Sequence, residues 1–216
     1  MATRQLLADL LAPPRGAAVA VESVGGVDAA KRVRAGEAFD AVVLSAQAID
    51  ALIASGHAVA GSRVDLVHSG VALAVRAGAP RPDIGSEDAV RRAVLAAPRL
   101  SYSTGPSGVA LQQLFERWGI AAQIAERIVQ APPGVPVGTL VARGDADLGF
   151  QQLSELMHLD GITVLGPLPP AIQVVTTFSG AIAATSQRRV EVADLLAALA
   201  APACDEIKRR NGMEPA

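Results

Sequence analysis

Residues 99–118 read RLSYSTGPSGVALQQLFERW, and the order of patterns in this stretch decides the fold. Residues 99–102 form a short apolar strand. STGPSG (103–108) is a tight loop rich in Gly, Pro and Ser. Leu111, Leu114, Phe115 and Trp118 then recur at i, i+3, i+4 and i+7, the spacing of one helix face. A strand passing through such a loop into a helix is half of an α/β unit, and ligands bind at that corner. The helix start offers unpaired N–H groups and a partial positive charge. Glycine lets a ligand approach the backbone, and hydroxyls add donors, so Ser103, Thr104 and Ser107 are candidate anion ligands. An ordinary capping turn is the competing reading. Two other chemistries are excluded. No Gly-Lys-Ser/Thr follows, so this is not a Walker loop. Val109 stands where a G-x-S-x-G nucleophile elbow needs its second glycine.

The same alternation extends outward in both directions. Apolar runs at 17–22 (AAVAVE), 41–44, 71–75, 146–150 and 162–165 read as strands. Helices are predicted through Leu6, Leu7, Leu10 and Leu11, through Val27, Ala30 and Val33, from Ser45 through Ile49, Leu52 and Ile53, after Ser86, over 137–142 and 153–157, and through Val192, Leu195, Leu196 and Leu199. Most strands are continuously apolar, which predicts mostly parallel sheets covered on both faces. Two runs, at 71–76 and 172–184, enclose about 100 residues, a domain's worth. The expected architecture is therefore α/β with two lobes, one over 1–75 and 180–216, the other over 76–179. A ligand cleft between them and a hinge motion at the crossings are expected.

Composition narrows the function classes. Half of the 216 residues are hydrophobic, only 3% are aromatic, and the net charge is -2. That is far from disorder, and it lacks the basic, aromatic surface that single-stranded nucleic acid needs. No run of about 18 apolar residues predicts a membrane-spanning helix. Cys204 is the one cysteine, so no intrachain disulfide forms, and it reads as a small buried residue. His57, His68 and His158 have no metal-ligand spacing, and neither metal nor cofactor is expected.

Further Ser/Gly turns also border strands. SVGG (23–26) contributes Ser23, SAQ (45–47) contributes Ser45, and Ser69 enters the first crossing run. Their hydroxyls suit an oxyanion or a carboxylate. Gln151 and Gln152 follow the 146–150 strand and are read either as ligand contacts or as caps of the next helix. Arg4 is a candidate positive charge.

Residues 36–45 (GEAFDAVVLS), 69–84 (SGVALAVRAGAPRPDI), 102–108 (YSTGPSG), 144–152 (GDADLGFQQ) and 212–215 (GMEP) carry a resemblance to the molybdate-type extracellular solute-binding family. The resemblance covers essentially the whole chain and implies the class II periplasmic-binding-protein fold. Members of that family begin with an export signal and a first strand. The start of this sequence matches the helix after that strand, so the first strand is expected to be missing. Periplasmic location is expected if a signal lies upstream, and cytoplasmic if Met1 is the true start. Gln151-Gln152 replaces the Tyr-containing segment of molybdate binders.

The leading implication is a monomeric solute-binding protein that captures a small anion for an ABC permease. A subgroup resembles aconitate isomerase, which implies proton transfer in a tricarboxylate, with Tyr102, Glu22 or His68 as candidate proton carriers. An isolated effector-binding domain of the LysR type is a third implication.

Overall fold

A computed structural model describes residues 2–12, 19–132 and 134–216. The chain forms two compact units, the first made of residues 1–69 and 176–216, the second of residues 70–175. In the first unit, α1 (Arg4–Leu10) and α2 (Gly26–Arg34) precede β1 (Ala41–Ser45), α3 (Ala46–Ala54) and β2 (Val64–Arg76), which leads into the second unit. There follow α4 (Glu87–Ala96), β3 (Leu100–Tyr102), α5 (Pro106–Arg117), α6 (Ala121–Ile124), α7 (Val137–Arg143), β4 (Leu148–Gln152), α8 (Leu153–Leu156) and β5 (Ile162–Pro167). The chain returns through β6 (Val175–Ile182) and ends with α9 (Arg189–Ala200), α10 (Asp205–Arg210) and β7 (Glu214–Pro215).

The first unit is built on β1, β6 and the first half of β2. Val42 and Leu44 of β1 are buried against Ala30 and Val33 of α2 and Ile49 and Leu52 of α3. Those spacings put the apolar side chains of each helix on one stripe. β1 runs antiparallel to β6, with Val43 opposite Gly180. A Cβ on Gly180 would collide with Leu196 of α9, so glycine is what lets that helix sit on the strand. Leu6 and Leu10 of α1 pack with Leu66, Val67, Leu199 and Met213. Of β2, Val67 and His68 pair antiparallel with Pro215 and Glu214 of β7.

A polar cluster ties β2 to β6 in this unit. Arg63 donates to Asp65 and Asp50 at 2.8 Å each, and the Ser179 hydroxyl donates to Asp65 at 2.6 Å. The Arg63 guanidinium, helped by Ser179, holds the Asp65 carboxyl below the usual carboxylate range. A depressed folded pKa gives stability that is complete above the unfolded value, about 4, and lost as pH falls through the lower folded value. Urea unfolding at stepped pH should therefore show a loss of stability below about pH 4 that Asp65→Asn reduces. An identical slope in the variant would refute this account.

In the second unit the latter half of β2 lies between β4 and β5, antiparallel to both, and β3 joins the far side of β4. One face buries Val71, Leu73, Leu100, Leu148 and Phe150 against Val90 and Val94 of α4 and Leu111, Leu114 and Phe115 of α5. On the other face Ala72 and Ala74 pack on Leu156 of α8. Gly149 leaves room there for Val137 and Val141 of α7.

The expectation of mostly parallel sheets is corrected. Among the registered strand pairs only β3–β4 is parallel, and β1–β6, β2–β4, β2–β5 and β2–β7 are antiparallel. A continuously apolar strand reports that both faces are covered, and helices cover these strands whichever way the neighbours run. The strand expected at 17–22 is also not seen. Ala17 and Ala18 lie outside the described residues, and Val19, Ala20, Val21 and Glu22 are exposed and irregular. Apolar composition makes no strand unless a neighbour takes its hydrogen bonds, and these residues pair with no described strand.

Candidate functional site

β3 and β4 run parallel with Tyr102 opposite Phe150, so their carboxyl ends reach the same edge of the second unit. The next residues are Ser103 on one strand and Gln151 on the other. This register puts the start of the 103–108 loop and the Gln151-Gln152 end of β4 at the same edge of the second unit.

The loop after β3 is built to leave donors open. Gly105 precedes α5 and has no side chain to cap it, and Pro106 fills the first helical position without an N–H. The backbone N–H groups of Thr104, Gly105 and Ser107 donate to no described residue. The Ser103 and Ser107 hydroxyls lie 3.3 Å apart and share one hydrogen bond. Ser107 is buried, Ser103 half-buried and Thr104 exposed. A 12-residue helix thus presents its positive end beside three hydroxyls. The loop is braced from below, because the Gln130 amide donates to the Tyr102 carbonyl at 2.9 Å. Tyr102 itself is buried with its ring edge-on to Phe115, and burial pushes its hydroxyl above the usual phenol range.

Gln151 and Gln152 are both buried at the end of β4. The Gln151 side-chain oxygen accepts the N–H of Gly138 at the start of α7, at 3.3 Å. Glu155 follows on α8 and is hydrogen-bonded to the Gln151 side chain. Burial pushes its carboxyl above the usual carboxylate range. Beside it the Ser154 hydroxyl is buried without a hydrogen bond to any described residue.

The remaining candidates lie in the first unit and are described there. Ser45 ends β1 and precedes α3, and its hydroxyl makes no capping bond. Arg4 opens α1 and is exposed, as is Ser23 in the segment before α2. Ser69 is fully buried on β2. Glu22 is bound to Arg32 at 2.7 Å, and Arg32 also pairs with Glu37 and lies over the Phe39 ring. His68 shares a 3.0 Å hydrogen bond with Thr177. Among the described residues no three His, Cys, Asp or Glu side chains gather as metal ligands, and no helix is long and apolar enough to cross a membrane.

Glu155, on α8 just past β4, is the polar residue near Gln151 that the residue patterns leave unmarked. No helical spacing marks it, because Gln151 lies on β4 and Glu155 on α8.

Comparison with known proteins bears on this geometry. Residues 4–214 match the family model described as bacterial extracellular solute-binding protein. An aconitate isomerase from Pseudomonas sp. is 40% identical over 185 residues, which span 85% of this chain and 70% of that protein. The periplasmic molybdate-binding protein of Azotobacter vinelandii superimposes with a TM-score of 0.77 at 21% identity, covering 98% of this chain and 93% of its own. The sulfate-binding protein SubI from Mycobacterium tuberculosis H37Rv gives 0.74 at 17% identity, covering 97% and 81%. At these identities the two structures speak to the fold.

Proposed function

The chain belongs to the bacterial extracellular solute-binding protein family, and from that premise we propose that it binds a small polycarboxylate and moves a carbon–carbon double bond within it, as an aconitate isomerase does. The observation that carries this reading is the rim of the second unit, where free N–H groups of Thr104, Gly105 and Ser107 stand with the hydroxyls of Ser103, Thr104 and Ser107. Such a set of neutral donors holds carboxylates, as it holds other oxyanions, by charge-assisted hydrogen bonds. Gln151 and Gln152 close β4, the strand that pairs with β3 below this loop. Binding supplies half of the chemistry. Donors on the carboxylate next to the reacting carbon stabilise the charge that develops when its proton leaves. The likeness to an aconitate isomerase at 40% identity supports the substrate class.

The test is direct. The protein incubated with cis-aconitate and followed by proton NMR is expected to form trans-aconitate, and to run the reverse reaction from trans-aconitate. A tricarboxylate at 100 times its dissociation constant should also stabilise the fold by about 2.7 kcal/mol. Stabilisation without interconversion would refute the isomerase reading.

That outcome would favour the second reading, capture of a small anion for an ABC importer. The family description and the likeness to molybdate- and sulfate-binding proteins support it. A periplasmic location accords with the family when an export signal precedes the mature chain. Calorimetry with molybdate, sulfate and tricarboxylates separates the ligands.

A further inference from the structure

We infer that Gln130 is a positioning residue of the anion loop: its side-chain amide stands in for a missing backbone donor at the end of β3, and so aims the free N–H groups of Thr104, Gly105 and Ser107 at a bound carboxylate. This rests on the reading of that loop as the carboxylate site, and not on the double-bond shift.

The need for such a donor follows from the strand ladder. β3 has β4 on one side. On its other side Leu100 bridges Ile128 in parallel, and the Val129 N–H donates to the Leu100 carbonyl at 2.7 Å. A parallel ladder continued by two residues would bring the Ala131 N–H to the Tyr102 carbonyl. Among the described residues that bond does not form, and the chain runs on into Pro132, which has no N–H to offer. The Gln130 side chain supplies the donor instead, at 2.9 Å. Its orientation is fixed by chemistry, because a carbonyl oxygen accepts only from the NH2 end of the amide.

The consequence lies one peptide further on. A trans peptide is planar, and its C=O and N–H point in opposite directions. Holding the Tyr102 carbonyl therefore sets the whole Tyr102–Ser103 plane, from which the loop departs. The next plane is held from α5, where the Ser103 carbonyl occupies the space that a side chain on Gly108 would need. The other end of that second plane is the Thr104 N–H, one of the free donors, which points away from the Gly108 contact. Two consecutive planes are thus fixed, one by Gln130 and one by Gly108. Without the Gln130 bond the loop spends less time in the arrangement that binds, and the apparent affinity falls in proportion.

Tricarballylate, a saturated tricarboxylate with no double bond to move, is the probe. Its dissociation constant is measured by calorimetry for the full chain and for two variants. Gln130 is exposed, so both variants are expected to fold. Gln130→Ala is expected to weaken binding about five- to tenfold, the effect of one hydrogen bond. Hydrogen exchange in the ligand-free variant should show lost protection at the Gly108 and Val109 amides, which donate to the Gly105 carbonyl at 2.9 and 3.2 Å. Gln130→Glu keeps the shape of the side chain and makes its donor titratable. At about pH 8 the new carboxylate has no proton to give, and binding should be as weak as in the alanine variant. At about pH 4.5, near the ordinary glutamate value, the protonated acid donates again. The ratio of its dissociation constant to that of the wild type at the same pH should then fall by at least about threefold. Taking the ratio at one pH removes the titration of the ligand.

Gln130→Ala within about twofold of a wild type that binds, or unchanged exchange at Gly108 and Val109, overturns this inference alone. So does a Gln130→Glu ratio that is the same at both pH values, since that marks side-chain packing rather than donation. A wild type that does not bind tricarballylate overturns the carboxylate reading of the loop, and this inference with it.

Discussion

Gly108→Ala is expected to abolish ligand-induced stabilisation and to lower the stability of the second unit by about 3 kcal/mol. A Cβ at this position would overlap the carbonyl oxygen of Ser103 and press on the Tyr102 ring. The first obstacle is backbone, so no rotamer change relieves it. The Ser103 peptide would have to move, and with it the 3.3 Å Ser103–Ser107 contact and the open N–H groups of Thr104 and Gly105. Those groups are the proposed anion contacts, so misplacing them by an ångström removes their alignment. Val109→Ala is the control. Val109 is the next residue, is 53% exposed, and should change stability by no more than about 0.5 kcal/mol while leaving binding intact. Thermal melts with and without a tricarboxylate read both effects. Normal binding by Gly108→Ala would remove the loop from the site.

Phe115→Ala should cost about 3–5 kcal/mol, a large share of the 5–15 kcal/mol that holds a typical protein together. Phe115 is 1% exposed on α5. Its ring lies 5.9 Å from Tyr102, 5.9 Å from Trp118 and 6.0 Å from Phe150. Deleting it leaves a cavity between the helix and the ends of both β3 and β4, the strands that carry the rim. Hydrogen exchange should show lost protection at β3, β4 and α5, with β1 and β6 of the first unit much less affected. Phe115→Leu should recover a good part of the loss, because it refills most of the volume. A cost under about 1 kcal/mol would mean that the packing of this unit is supported elsewhere.

Both predictions turn on residues whose roles were unequally legible. The periodicity of Leu111, Leu114 and Phe115 marks the buried face of α5, and all three are buried. The composition of residues 103–108 marks a loop that opens a helix, and α5 begins at Pro106. Gly108 is different. Its spacing says only that the turn is tight, and the Ser103 carbonyl that excludes a side chain appears only once the loop has closed on itself. Ser86 shows the opposite case, because capping is local: its hydroxyl accepts the Ala89 N–H three residues on, as the sequence pattern predicts. The resemblance read from residues 36–45, 69–84, 102–108 and 144–152 also holds, since the family model matches almost the whole chain.

Other features were out of reach for a stated reason. An apolar run such as 71–75 reads the same beside a parallel or an antiparallel partner, so the pairing of Leu73 with Phe150 had no local signal. Residues 19–22 carry the same composition as a strand and form none.

By itself the sequence determined the alternation of helices and apolar strands, the buried helix faces, the Ser/Gly loop before α5 and the family. All of these depend on interactions within a few residues, or on motifs that survive as strings. Tertiary structure alone decided the strand directions, the shared edge of β3 and β4, and the environment of Glu155. Burial and hydrogen bonding there come from groups distant in the chain, as when Gly138 orients Gln151 from 13 residues away. A carboxyl's proton affinity follows from the solvent and dipoles that folding places around it, which no local spacing records.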